Sequence, residues 1–178
     1  NRTDFDLNQH MRHSKKDLSY FDEETKEKYV PCVIEPTLGI ERLFLALLID
    51  GYEEVRGGRT QTTEAVKEEE TVLKLNPNIA PVTVAVLPLL KNNPKLVAKA
   101  KSIYSQLSGY FACQYDETGS IGRRYRRQDE IGTPWCITVD HETLESDRVT
   151  LRSRDTMEQE RVPIADLSNM VTKLLYAP

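Results

Sequence analysis

The sequence predicts an α/β fold, a mixed β-sheet flanked by helices, and three observations carry that prediction. The run "VTVAVLPL" from Val82 is nearly continuous in apolar residues and rich in valine, the pattern of a strand buried on both faces. In the following "NNPKLVAKAKSIYSQLSGY", Asn93 suits a helix N-cap, Pro94 the first helical position and Gly109 a stop, with apolar residues near helical spacing between them. Beyond it, strand and helix patterns alternate in the order strand, helix, strand, helix, strand, strand, helix, which describes a mixed sheet covered by helices.

Taken in order, the chain starts with a polar stretch, "NRTDFDLNQHMRH", and "FDEETKEKY" reads as a turn between strands. "YVPCVIEP" (29–36) predicts a short strand ended by Pro36, and Gly39 to Ile49 a buried helix, because an apolar run of this length exceeds a typical strand. From Glu53 to Glu70 there is almost no apolar residue, a Gly57-Gly58 pair and much charge, which reads as a surface insertion or linker. After Val82 and its helix, "FACQYD" (111–116) and "WCITVD" (135–140) predict two further strands with a basic helix between them. "RVTLRSRD" and "MEQERVPI" read as a hairpin, and "IADLSNMVTKLLYA" as a closing helix. There is no internal repeat.

Composition narrows the function classes. The 178 residues, 39% of them hydrophobic, suffice for one ordinary domain or for one small domain plus part of another. With 29% charged residues and a net charge of -4, any nucleic-acid contact requires a local basic patch. Cys32, Cys113 and Cys136 are odd in number and far apart, which argues against a disulfide framework and a zinc site. The longest apolar run is far shorter than a membrane span and the start has no secretory core, so a cytoplasmic location is expected. The chain opens on Asn1 in mid-pattern, as expected of part of something longer.

The sharpest chemical feature is "DETGSIGRRYRRQDEIGTPWCITVD" (116–140), where Arg123, Arg124, Arg126 and Arg127 surround Tyr125. On a helix, Arg123, Arg126 and Arg127 share a face and Arg124 points elsewhere. Arginine donates in a rigid fork and stacks on flat rings, which suits phosphates and bases, while Asp129 and Glu130 can accept from the amino group of a cytosine edge. The same run equally suits a solvated helix whose arginines pair with nearby acids. In "CVIEPTLGIERLFLALLIDGY" (32–52), Glu35 and Arg42 stand at the edge of an apolar run, as a turn cap and an ion pair or as holders of a small molecule bearing an ammonium and phosphates. His10 and His13 share a helical face near Asp6, but lack the surroundings of a metal site, so no metal ligands are assigned. Cys113 and Cys136 read as small hydrophobes in strands and Trp135 as core.

"VIEPTLGIERL" resembles motif 3 of the class II aminoacyl-tRNA synthetases in its glycyl form, and "NRTDFDLNQH" resembles the segment upstream of it in that family. "GSIGRRYRRQDEIGTP" and "LRSRDTMEQ" resemble the family's C-terminal anticodon-binding domain. The resemblance implies that residues 1–57 end a catalytic domain built on an antiparallel sheet, 58–72 are a linker or insertion and 73–178 form the anticodon-binding domain. It implies ATP-dependent activation of glycine, with Mg2+ as part of the ATP complex, and transfer to tRNA(Gly). Glu35 and Thr37 would hold glycine, Glu35, Gly39 and Arg42 would face ATP, and Arg42 would pack on the adenine near the phosphates. Thr37 stands where the family usually has serine, and its methyl narrows that pocket. Arg123, Arg124, Tyr125, Arg127, Asp129 and Glu130, with Arg152, Arg154 and Asp155, would lie near the anticodon cytosines.

Class II motifs 1 and 2 do not occur in these residues, so the chain alone is expected to form no adenylate. The family is homodimeric, and this part of it is expected as a possible monomer with no membrane contact. The alternative reading is a non-catalytic synthetase-like RNA-binding module, a regulator or polymerase accessory. Intact "IEPT" and "GIER" favour the enzyme.

Overall fold

A computed structural model describes residues 2–56 and 69–176, and the chain divides into two compact units, Asn1–Leu43 and Phe44–Pro178. In the first unit, α1 (Phe5–Ser14) ends where Lys15 turns left-handed, φ 59°, and returns its N–H to the Met11 carbonyl. β1 (Tyr20–Phe21) pairs antiparallel with β2 (Lys28–Tyr29), Tyr20 opposite Tyr29, across the turn expected there. The Asp22 carboxylate accepts from the Glu24 N–H at 2.8 Å and so fixes that turn.

The strand expected over 29–36 does not form beyond Tyr29. Residues 30–39 carry no regular structure. Pro31 and Pro36 have no N–H for a ladder; Val33 is tied to the start of the chain, donating to the Thr3 carbonyl at 3.1 Å and accepting from the Arg2 N–H, and the Gly39 carbonyl takes the Leu43 N–H of α2. α2 (Ile40–Gly51) follows as expected, but it is not buried: Ile40 is 81%, Phe44 61% and Ile49 68% exposed. An apolar run specifies a helix that wants cover, and no described element supplies it.

The expected linker is partly a ladder. β3 (Tyr52–Arg56) and β4 (Glu69–Leu73) pair antiparallel from Tyr52↔Leu73 to Arg56↔Glu69, while residues 57–68, most of that segment, lie outside the described residues. Charge hides this ladder in the sequence, yet Thr71 and Val72 are β-branched and Val72 is buried. The domain boundary expected at residue 57 thus falls between its two strands. Gly51 permits the approach at its base, since a Cβ there would lie 3.2 Å from the Lys74 carbonyl.

The main sheet uses β5 (Val84–Pro88), β6 (Cys113–Tyr115), β7 (Trp135–Val139), β8 (Arg148–Ser153) and β9 (Gln159–Pro163), in the order β6-β5-β7-β8-β9. β5 runs parallel to β6 and β7, whereas β7, β8 and β9 are antiparallel, so the sheet is mixed as expected. The helices are α3 (Pro94–Leu107), α4 (Ile121–Ile131), the short α5 (His141–Ser146) and α6 (Leu167–Leu175), the last entered through a 3-10 turn. α5 was not legible from apolar periodicity; its signal is the capping box between Asp140 and Thr143.

Strand alternation gives the sheet two faces. Val84, Val86, Ile137, Val139 and Val149 pack with Leu96, Ala100, Ile103 and Leu107 of α3 and with Leu167 and Val171 of α6. Ala85, Leu87 and Cys136 face the other way, against Ile121 and Tyr125 of α4. All five residues of β5 and of β7 are buried, as a run hydrophobic on both faces requires. Asn93 caps α3 by accepting from the N–H groups of Lys95 (3.1 Å) and Leu96 (3.4 Å). Asn93→Ala is therefore expected to cost about 1 kcal/mol in urea unfolding, with Asn93→Asp recovering most of it. Among the described residues no helix is long and apolar enough to cross a membrane.

Candidate nucleic-acid interface

α4 is amphipathic in an unusual sense, because half of its charged residues, Arg124, Arg126 and Asp129, turn inward. Arg124 is 1% exposed; it donates to the Pro88 carbonyl through Nη1 and to the Gly119 carbonyl at 2.7 Å through Nη2. Burial lowers its pKa from the ordinary value, opposed by the nearby Asp116 carboxylate. Asp129, also buried, grips Arg152 of β8 through two parallel bonds of 2.9 and 2.8 Å. The Arg152 guanidinium stacks 4.6 Å from the centre of the Tyr125 ring, and the Tyr125 hydroxyl bonds Thr138 of β7.

Arg154 is 2% exposed and donates to three backbone carbonyls, Leu73 (3.1 Å), Gly132 (2.8 Å) and Leu75 (2.9 Å), as well as to Asp155. It joins the end of α4 to the chain leaving β4. Gly132, φ 85°, ends the helix, and a Cβ there would lie 3.0 Å from the Leu73 carbonyl oxygen. Arg126 departs from the face expected for it. Its side chain is 12% exposed and lies 3.7 Å from the buried Glu70.

The outward stripe is Arg123, Arg127 and Glu130, at positions i, i+4 and i+7. Arg123 and Glu130 are exposed; Arg127 is half-exposed, held by Asp116 (3.0 Å through Nε) and the Thr118 carbonyl (2.6 Å). Burial raises the Asp116 pKa, but the Thr118 N–H and Arg127 outweigh it and leave it below the ordinary value. The folded state then binds fewer protons than the unfolded one as pH falls. This contribution to stability is complete above about pH 4 and is lost as pH falls through the lowered pKa. Asp116→Asn is expected to flatten that part of an acid-unfolding curve.

Beside this stripe lies a cavity of about 490 Å³ lined by Leu90, Lys91, Asn93, Ser120, Ile121 and Arg124, among others. It sits where β5 and β6 end. These strands are neighbours, but their outgoing helices α3 and α4 lie on opposite faces of the sheet. In open α/β sheets, ligands favour the region outside the carboxyl ends of the parallel strands. Sequence reasoning found Asn93 only as a cap and missed Lys91 and Ser120. Their signal is position, directly after a buried strand and directly before a basic helix.

Glu35, Thr37, Gly39 and Arg42 lie in the irregular stretch before α2 and in its first turn, and all four are exposed, not at the edge of a core. Glu35 and Arg42 make no ion pair or side-chain hydrogen bond among the described residues, while the Arg42 stem lies against Gly39. His10 and His13 lie exposed on α1, and among the described residues no three His, Cys, Asp or Glu side chains cluster to hold a metal. Burial pushes the Cys136 thiol up to about 12 and Cys113 up to about 11, as buried apolar thiols behave.

The sheet order and the helices on both faces define an α/β domain whose fold recurs in a solved structure. A solved prolyl-tRNA synthetase from Cryptosporidium parvum, complexed with halofuginone and AMPPNP, has the same fold with a TM-score of 0.54 at 24% identity. The match covers 58% of this chain and 22% of that one. Residues 83–174, just over half of the chain, match the Anticodon binding domain family, and the chain belongs to that family. It is 54% identical over 172 residues to the glycine–tRNA ligase of Clostridium beijerinckii, covering 96% of this chain and 35% of the relative. It is 56% identical to that of Ruminiclostridium cellulolyticum (94% and 34%) and 52% identical to that of Geobacillus thermodenitrificans (97% and 35%). The chain spans about a third of the length of these curated relatives.

Proposed function

We propose that this chain is part of a glycine–tRNA ligase, supplying motif 3 of the active site and the domain that reads the anticodon of tRNA(Gly). One observation carries the reading: the identity to glycine–tRNA ligases runs through 94–97% of the chain and so includes both the Glu35–Arg42 segment and the α/β domain. In the reaction, a glycine carboxylate oxygen attacks the α-phosphorus of ATP, pyrophosphate leaves, and the glycyl group passes from AMP to the terminal ribose hydroxyl of tRNA(Gly). Mg2+ enters as the ATP complex. The residues fit these substrates. Glu35 is an exposed carboxylate without a competing partner among the described residues, suited to the glycine ammonium, with Thr37 two residues on. Arg42, equally free, suits the adenine face and phosphate oxygens next to Gly39. The exposed apolar face of α2 supports a place inside a larger catalytic domain, where such a face is covered.

At the anticodon end, Arg123, Arg127 and Glu130 meet the bases in this reading, which their outward position on α4 supports. Arg124, Tyr125, Asp129, Arg152, Arg154 and Asp155 act as positioning residues, holding α4 against the sheet. The whole enzyme is a cytoplasmic homodimer in this reading. The test is a titration, at fixed salt, of this chain against tRNA(Gly) and against the same tRNA with its anticodon cytosines changed. Weaker binding of the changed tRNA is expected, and equal binding would overturn the anticodon reading. These residues alone are also expected to give no glycine-dependent pyrophosphate exchange.

A further inference from the structure

The crevice between the loops after β5 and β6 has features that base recognition does not need. Two helices begin at it, since Asn93 and Ser120, the N-caps of α3 and α4, both line its wall. A helix start carries partial positive charge and, unless capped, free N–H donors. In α3 the Asn93 side chain already takes two of these donors, so that helix offers mainly its dipole. In α4 the Ser120 side chain makes no capping bond. The backbone N–H groups of Ile121, Gly122 and Arg123 find no acceptor among the described residues. A serine N-cap that leaves its helix uncapped calls for another acceptor.

The second observation is Arg124, which also lines the crevice. Arg127, Arg152 and Arg161 each face an aspartate. Among the described residues Arg124 has no carboxylate within ion-pair distance and its Nε has no partner, and the residue is 1% exposed. A buried guanidinium hydrogen-bonded to the carbonyls of Pro88 and Gly119 has only the longer-range pull of Asp116 and Glu117 to offset its charge. The nearby acids are already engaged, Asp116 by Arg127 and Glu117 by the Tyr115 hydroxyl. Exposed Lys91 adds a cation on the rim, and Arg123 stands beside Gly119.

We infer that this crevice is a phosphate-binding site, which takes a phosphodiester of the bound RNA loop on the free N–H groups of α4 above the buried Arg124 charge. It rests on the reading that the domain binds RNA, and it specifies where the backbone is held while Arg123, Arg127 and Glu130 face bases. Helix starts bind phosphate in this manner, and backbone contacts set register without reading sequence. A volume of about 490 Å³ admits a nucleotide unit and not only a bare ion.

Ser120→Asp tests it, because an aspartate cap would occupy the free donors and repel a phosphate while stabilising the helix. The thermal midpoint is expected to hold or rise. A stem-loop RNA with the tRNA(Gly) anticodon is expected to bind about ten-fold more weakly, with the slope of log K against log salt reduced by about 0.7. A stem-loop with changed cytosines should lose the same factor. Ile121→Pro is the second variant, since proline suits the first helical position and Ser120, at φ -78° and ψ 159°, is already extended as a residue before proline must be. It removes one N–H donor and should weaken binding relative to Ile121→Ala.

Unchanged affinity and salt slope in Ser120→Asp, with cytosine preference intact, would overturn the phosphate site and leave the anticodon reading standing. Loss of cytosine preference in the wild type, with Ser120→Asp still lowering affinity and slope, would overturn the anticodon reading alone. A third arm titrates inorganic phosphate while following the amide resonances of Gly119, Ile121 and Gly122. Saturation by free phosphate without any competition against the stem-loop would assign the site to a free anion and overturn the RNA phosphodiester.

Discussion

Asp129→Ala is expected to destabilise the α/β domain by about 3–5 kcal/mol in urea unfolding, with little change in the slope of the transition. The cost arises on the partner. Arg152 is 3% exposed and bonded to both carboxylate oxygens, so removing them strands a guanidinium between α4 and β8, stacked on Tyr125. Asp129→Asn should recover part of the loss, because one oxygen still accepts. The double variant Asp129→Leu/Arg152→Met, which removes both charges, should be more stable than Asp129→Ala alone. A single variant as stable as the wild type would show that the pair holds nothing together.

Arg154→Ala is expected to cost about 3–5 kcal/mol by a different route, because three carbonyls lose a charge-assisted donor at once. The carbonyls of Leu73 and Leu75 belong to β4 and the chain after it, and that of Gly132 to the end of α4. The damage should therefore be local. Hydrogen exchange is expected to show lost protection in β4 and the end of α4, while the buried amides of β5 keep theirs. Arg154→Lys, a point charge without the planar fork, should rescue only part of it. Uniform loss of protection across the sheet would contradict this role.

These two arginines mark the limit of what the sequence made legible. The strands and helices from Val82 onward were readable because valine runs, the Asn93-Pro94 start and the alternating order each have one physical reading, and together they define the mixed sheet. The β3–β4 ladder was not, since glutamates dominate its strands and its apolar content is confined to a few positions such as Val55 and Val72. The irregular course of residues 30–39 follows from Pro31 and Pro36, which apolar content alone concealed. In the site, the cluster on α4 was visible as composition, but its division into an outward stripe and an inward network was not. Helical spacing places Arg126 beside Arg123 and Arg127. Only the positions of Glu70, Asp116, Arg152 and the strand-end carbonyls determine which charged groups turn in.

That division carries the central claim, that the domain meets RNA bases through Arg123, Arg127 and Glu130 and not through the buried arginines. The most direct measurement is the ratio of affinities for stem-loops with native and changed anticodon cytosines, at fixed salt, in the wild type, Arg123→Ala, Arg127→Ala and Glu130→Gln. The account predicts that the ratio falls toward one in at least one of these variants while each keeps the wild-type thermal midpoint to within a few degrees. A ratio unchanged in all three would contradict it and place base recognition elsewhere on the domain.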